Sequence, residues 1–239
     1  MINSVEELKI KLFADGANKD DILQMYKKPY IKGFTTNPTL MRKAGVTDYK
    51  GFALDLLSII QDLPISFEVF SDDLNEMESQ ANLISSWGEN VFVKIPITNT
   101  EGISTVPIIK SLSKEKVKLN ITAMMTVEQV KLVSEVVKNS SQIVLSVFAG
   151  RIADTGYDPI PLMQQALELI NPYPKQELLW ASPRELLNII QADMIGCHII
   201  TATTDVLKKI DLIGKDLTEY SLDTVKMFRG DAINAGFHL

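Results

Sequence analysis

One cysteine, Cys197, and two histidines among 239 residues leave little from which to build disulfides or a clustered metal site. A lone cysteine closes no intramolecular bridge, which fits a reducing compartment. No stretch is long and uncharged enough to span a bilayer, and residues 1–15 carry charges where a signal peptide would have an apolar core. The cytoplasm is the expected location, with no membrane partner. An excess of positive charge is missing too. With a net charge of -6 at pH 7, the chain has no general attraction for phosphate backbones, so nucleic acid is not an expected partner. Linkers rich in Pro, Gly or Ser and low-complexity tracts are absent. A composition 46% hydrophobic and 23% charged suits a single well-buried domain over residues 1–239.

What is present is alternation. Short apolar or β-rich runs occur at 9–15, 31–37, 65–70, 91–97, 117–123, 143–148, 177–182 and 194–201. Between them, segments such as 49–60, 73–87, 126–138 and 159–170 repeat apolar residues every three to four positions, the period of a helix packed on one face. Asn18, Thr126 and Ser182 are of the types that cap helix starts. Eight strand-helix units in a chain of this length predict an α/β fold, a closed (β/α)₈ barrel, with an additional C-terminal helix over 218–235. The competing open sheet would normally place a glycine-rich phosphate loop after its first strand, where this chain has Asp15-Gly16-Ala17-Asn18.

Lys94 is the anomaly, a charge inside the apolar run Val91 to Ile97. A buried ammonium must find an anionic partner or give up its proton, and a neutral amine is a nucleophile able to form a Schiff base with a sugar carbonyl. The alternative is a structural lysine at a strand end, paired with a carboxylate or reaching to water. Side chains on a strand alternate between faces, so parity tests whether the other polar residues share the lysine's side. On that basis Asp15, Asn37, Ser66, Glu68, Asn120, Thr122 and Ser146 all point to the barrel axis, most of them near the C-terminal strand ends where barrel active sites form. A Glu68–Lys94 ion pair on adjacent strands would explain two of them. The others would each still need a hydrogen-bond partner.

The chain resembles the transaldolase family, and its short members in particular. The matching pieces are Phe13-Ala14-Asp15, Thr35-Thr36-Asn37-Pro38-Thr39, Phe67-Glu68-Val69, Val93-Lys94-Ile95-Pro96, Leu119-Asn120-Ile121-Thr122, Ser146 to Ile152 and Ala181-Ser182-Pro183-Arg184, followed by Tyr220 to Val225. The resemblance implies a cofactor-free, metal-free transfer of a dihydroxyacetone unit between sugar phosphates, as in the non-oxidative pentose phosphate pathway. Fructose 6-phosphate and sedoheptulose 7-phosphate are the implied donors, and erythrose 4-phosphate or glyceraldehyde 3-phosphate the implied acceptors. Lys94 would form the Schiff base and Asp15 would act as general acid/base. Glu68 and Thr122 would hold a catalytic water, while Asn37, Asn120 and Ser146 would bind the dihydroxyacetone hydroxyls. Arg151, Ser182 and Arg184 would take the phosphate. From the residues alone, Asp15 serves equally well as a helix cap, and exposed arginines are commonly solvated.

Phe148 bears on the subtype. Aldolases of the same superfamily that release free dihydroxyacetone typically carry tyrosine there and glutamine at the position of Glu68, so the pair found here favours a transferase. A fructose-6-phosphate aldolase-type lyase and a non-catalytic sugar-phosphate-binding homologue are the alternatives. Short family members are commonly homo-oligomers, and the C-terminal helix either packs between subunits or covers the base of its own barrel. Cys197 and His198, taken as neighbours in the eighth strand, point to opposite faces and are expected to pack. Trp180 shares the phase of Ser182 and is expected to shape the pocket or fill the barrel. Asp154 either orients Arg151 or belongs to a loop.

Overall fold

Each apolar run forms a strand with one face toward the axis and the other under a helix, the arrangement that near-continuous hydrophobic strands require. The computed structural model describes residues 2–138 and 142–238. In chain order its elements are β1 (Lys11–Asp15), α1 (Lys19–Tyr26), β2 (Ile31–Thr35), α2 (Pro38–Lys43), α3 (Tyr49–Ile59), β3 (Ile65–Glu68), α4 (Leu74–Ser85) and β4 (Val91–Pro96). There follow α5 (Val106–Lys114), β5 (Leu119–Met124), α6 (Val127–Val136), β6 (Ile143–Val147), α7 (Ala149–Asp154), α8 (Ile160–Ile170) and β7 (Gln176–Trp180). The chain finishes with α9 (Leu187–Met194), β8 (Ile199–Thr203), α10 (Thr204–Leu207) and α11 (Leu217–Asn234). The eight parallel strands close in sequence order, β8 pairing with β1. This is the predicted (β/α)₈ barrel with its extra C-terminal helix. Among the described residues, no helix is long and apolar enough to cross a membrane.

Local chemistry sets the helix starts. Asn18 accepts from the Asp21 N–H, and Thr126 forms a reciprocal capping box with Gln129. Ser182 does not cap a helix as expected: α9 begins at Leu187, and Ser182 has a left-handed φ of 59°. β2 ends at Thr35, because Asn37 turns out of the sheet to accept from the Leu40 N–H at 2.9 Å, with Pro38 opening α2. β8 begins five residues later than expected. Met194 is the last residue of α9, and Cys197 and His198 lie in the connection that follows it. Burial pushes the Cys197 thiol up to about 12, and its sulfur contacts the carbonyls of Leu178 and Ile199. His198 Nδ1 accepts from the Leu178 N–H at 3.1 Å. Among the described residues, no group of three or more His, Cys, Asp or Glu side chains is placed to hold a metal ion.

The main core lies between barrel and helices. Trp180 belongs to it, only 1% exposed, which corrects its expected inward direction. Leu179 and Ala181 hold the inward phase of β7 instead. Inside the barrel, Phe13, Phe92, Val144, Leu179, Ala181 and Ile199 form an apolar cluster with Phe148 packed against it. Gly33 makes room for this cluster: a Cβ there would stand 2.5 Å from the Phe13 ring. Gly33→Ala is expected to destabilise the fold by about 1–3 kcal/mol through overpacking, measured as a lower urea midpoint at unchanged slope.

Candidate active site

A cavity of about 520 Å³ opens at the C-terminal end of the barrel. The eleven residues expected to act on or bind substrate line it: Asp15, Asn37, Glu68, Lys94, Asn120, Thr122, Ser146, Phe148, Arg151, Ser182 and Arg184. The opposite end holds a slightly larger cavity, about 580 Å³, but the lysines there are engaged, Lys11 by Glu177, Lys32 by the Pro29 carbonyl and Lys118 by the Glu89 carbonyl. Of these two cavities, the C-terminal one joins a buried amine to carboxylates, amides and hydroxyls.

Strand register sets the arrangement. Glu68 pairs with Lys94 between β3 and β4, and Lys94 with Asn120 between β4 and β5, so the three side chains stand abreast on neighbouring strands. Lys94 Nζ lies 3.0 Å from Glu68 Oε2 and donates to the Thr36 carbonyl at 2.8 Å. The ion pair foreseen as the plain alternative thus exists, inside the cavity. Deeper in the barrel, Ser146 donates to Asn120 Oδ1 at 2.6 Å and Asn120 Nδ2 donates to Ser66 Oγ at 3.0 Å. The Asn120 amide thus bridges Ser146 of β6 and Ser66 of β3. Thr122 Oγ1 is buried and finds no hydrogen-bond partner among the described residues. It sits beside a bulge in β5, where the register shifts between Ile121 and Met124 and Ala123 has φ 63°. Bulges of this kind re-aim side chains at the rims of barrels.

Asp15 caps no helix. It ends β1 opposite Thr35, whose hydroxyl donates to Asp15 Oδ1 at 2.6 Å. Because that proton points to the carboxylate, Thr201, 2.6 Å from Thr35 Oγ1, is the donor in the second contact. The result is a polarised chain from Thr201 through Thr35 to Asp15. Burial holds the Asp15 carboxyl above the ordinary carboxylate range, against the opposing pull of Lys94 and of the Thr35 hydrogen bond.

The mouth is cationic. Arg151 leans over the Phe148 ring, 5.8 Å from its centroid. Arg184 forks onto Asp154, donating from Nε to Oδ1 at 2.9 Å and from Nη2 to Oδ2. Asp154, at the end of α7, therefore orients Arg184, where the expectation was Arg151 or a plain loop position. Ser182 reaches the cavity although strand alternation would send it outward with Trp180, since its left-handed backbone turns the chain at the strand end. Gly150 permits this turn. A Cβ there would lie 1.5 Å from the Ser182 carbonyl oxygen, so α7 and the β7–α9 loop meet only because position 150 has no side chain.

A family model described as "Transaldolase/Fructose-6-phosphate aldolase" matches residues 12–237. The chain belongs to this family. Among curated relatives, a protein of Dehalococcoides mccartyi named "Probable transaldolase" is 34% identical over 202 residues, covering 84% of this chain and 90% of its own length. One of the same name from Caldicellulosiruptor saccharolyticus is 35% identical over 203 residues, covering 84% of this chain and 89% of its own. Among solved structures, 3-hexulose-6-phosphate synthase from Salmonella typhimurium superposes with a TM-score of 0.57 at 10% identity, covering 87% of this chain and 98% of that one. At that identity the likeness shows the barrel fold alone. A transaldolase-family barrel accounts for the run of matching pieces from Phe13 to Val225.

Several cavity groups escaped the sequence reading. Thr201 was legible, since it shares the inward phase of Ile199 in β8. Lys43 lines the mouth from the end of α2, where nothing in the local pattern marks it. The Thr36 carbonyl that holds Lys94 is a main-chain group, invisible to any motif.

Proposed function

We propose that this chain transfers a dihydroxyacetone unit from a ketose phosphate to an aldose phosphate through an imine on Lys94. The observation that carries the proposal is the position of that amine, buried, 3.0 Å from the Glu68 carboxylate and in one cavity with Asp15 and Thr122. Glu68 takes a proton from the ammonium, directly or through a water shared with the Thr122 hydroxyl. The free amine then attacks the ketone carbon, and loss of water leaves a protonated imine. Asp15 removes the proton from the hydroxyl two carbons beyond the imine carbon. The carbon-carbon bond breaks, the aldose phosphate departs as an aldehyde, and the electron pair stays on the lysine-bound unit as an enamine. An acceptor aldehyde takes that pair to form the new bond, Asp15 returns the proton, and water releases the product ketose.

Asn37, Asn120 and Ser146 hydrogen-bond the hydroxyls of the three-carbon unit. Arg151, Ser182 and Arg184 bind the phosphate of fructose 6-phosphate or sedoheptulose 7-phosphate on the donor side, and of erythrose 4-phosphate or glyceraldehyde 3-phosphate on the acceptor side. Phe148 offers no proton to the water near the imine, which favours transfer over release of free dihydroxyacetone. The test supplies fructose 6-phosphate with isotopically labelled erythrose 4-phosphate. Label should enter a seven-carbon ketose, and donor cleavage should stall without acceptor. Steady release of dihydroxyacetone in the absence of acceptor would make the chain a lyase. Gly150→Ala is expected to raise KM for the phosphorylated donor about tenfold or more, because the clash moves Ser182 and Arg184 together; a parallel assay with unphosphorylated fructose as donor and glyceraldehyde as acceptor should change little.

We assign α11 to packing between copies of the chain. None of its residues is buried, so it does not cover the base of its own barrel, and Leu217, Leu222, Val225 and Phe228 are all at least half exposed. Sedimentation should find the full chain as a homo-oligomer and a chain ending at Gly214 in a smaller state. An intact oligomer after that truncation refutes the assignment.

A further inference from the structure

β3 ends one rung short on the side facing β2. The ladder between them runs from the Phe34 N–H to the Pro64 carbonyl at 2.8 Å and from the Thr36 N–H to the Ser66 carbonyl at 3.2 Å. Rungs of a parallel pair recur at every second residue, so the next would join the Glu68 N–H to the Thr36 carbonyl, and the N–H of residue 38 to the Glu68 carbonyl. Residue 38 is proline and opens α2, so it has no N–H to give. The Thr36 carbonyl accepts from Lys94 Nζ, and among the described residues no hydrogen bond joins it to the Glu68 N–H. Two main-chain groups of Glu68 are thus left without strand partners at the point where its side chain meets the amine.

One hydroxyl serves both. Tyr49 Oη accepts the Glu68 N–H at 2.8 Å and donates to the Glu68 carbonyl at 2.8 Å. Tyr49 is the first residue of α3, whose start is held by Asp48 accepting from the Gly51 N–H at 2.9 Å. Its ring sits among Phe67, Phe70 and Trp87, with centroids 6.4, 5.5 and 6.0 Å away. Burial raises its hydroxyl well above the ordinary phenol range, which keeps the proton that the Glu68 carbonyl receives.

We propose that Tyr49 is a positioning residue for Lys94: by standing in for the missing rung, it leaves the Thr36 carbonyl to the amine and pins the peptide from which Glu68 reaches that amine. Both contacts of Lys94 then depend on a phenol that does not touch it. Without the hydroxyl, the Glu68 N–H is left unsatisfied and turns to the Thr36 carbonyl, in competition with Lys94. The catalytic consequence rests on the imine mechanism above; the structural one does not.

The test compares Tyr49→Phe with Phe70→Leu, which disturbs the same aromatic cluster without touching Glu68. Competitive labelling of Lys94 by acetic anhydride, read by mass spectrometry with no sugar present, should be about threefold faster in Tyr49→Phe as the amine loses its acceptor. Turnover of the sugar phosphates should fall about tenfold in kcat with KM within about twofold. Phe70→Leu should lower the melting temperature and leave labelling and kcat as in the wild type. The proposal is overturned if Tyr49→Phe lowers only the melting temperature, or if both variants change labelling to the same extent. Should Tyr49→Phe fail to fold, Tyr49→His, whose ring nitrogen cannot accept and donate at one atom, is held to the same criteria. A wild type that forms no imine but shows the labelling difference sinks the transfer mechanism and leaves the positioning role standing.

Discussion

Lys94→Met should yield no borohydride-stable adduct with fructose 6-phosphate, and its transfer rate should fall on the order of 10⁴-fold or more, because the other amine lining the cavity, Lys43, is exposed at the mouth and lacks the buried carboxylate partner of Lys94. Lys94→Arg separates charge from nucleophilicity. It keeps a cation beside Glu68 and should fold with near-normal stability, yet it should be as inactive as the methionine variant. The methionine variant should also lose stability, since it leaves Glu68 without its cation. The loss should stay below the roughly 3–5 kcal/mol that breaking a fully buried pair costs, because the Glu68 side chain is 18% exposed and opens onto the cavity. Mass spectrometry of the reduced wild type should find the added three-carbon unit on Lys94 alone. An adduct on another lysine, or an active Lys94→Arg, defeats the mechanism.

Asp15→Asn should lower kcat by about 10²–10⁴-fold, the usual contribution of a general acid/base, and should at the same time make the protein more stable at neutral pH. The sign follows from the raised pKa. Below the unfolded value of about 3.9 the carboxyl is neutral in both states and costs nothing. As pH climbs through the higher folded value, the folded protein must hold a desolvated carboxylate that the unfolded chain leaves in water, and stability is lost. The asparagine variant is free of that loss, so its advantage in melting temperature should be largest at pH 7 and should shrink toward zero as pH falls past 4. Thermal melts across that range, paired with kcat, separate this from a merely structural role. An asparagine variant less stable than wild type at pH 7 would mean that the attraction between Asp15 and Lys94 outweighs desolvation.

A carboxylate kept at a net cost, where Thr35 directs its proton to it and itself accepts from Thr201, fits a functional role better than a folding one. The same holds for the Thr122 hydroxyl, buried without a hydrogen-bond partner among the described residues. Satisfied side chains such as Asn18 and Thr126 cap helices and are explained by the segments they begin.

The sequence by itself determined the eight strand-helix units and which side chains of β1, β3, β4, β5 and β6 face the axis. Strand period is two residues whatever the surroundings, so Lys94, Glu68, Asn120 and Ser146 had to share a face once the strands were recognised. The same rule misdirected Trp180 and left Ser182 on the wrong side, because alternation stops where the backbone turns left-handed at the strand end. Only tertiary structure decided that Asp154 serves Arg184, that Gly150 admits the Ser182 loop, and that Tyr49 completes the β3 edge. Each depends on two segments 19 to 32 residues apart meeting at hydrogen-bond or van der Waals distance. Such distances follow from how strands and helices dock in the closed barrel, and local spacing along the chain does not encode them.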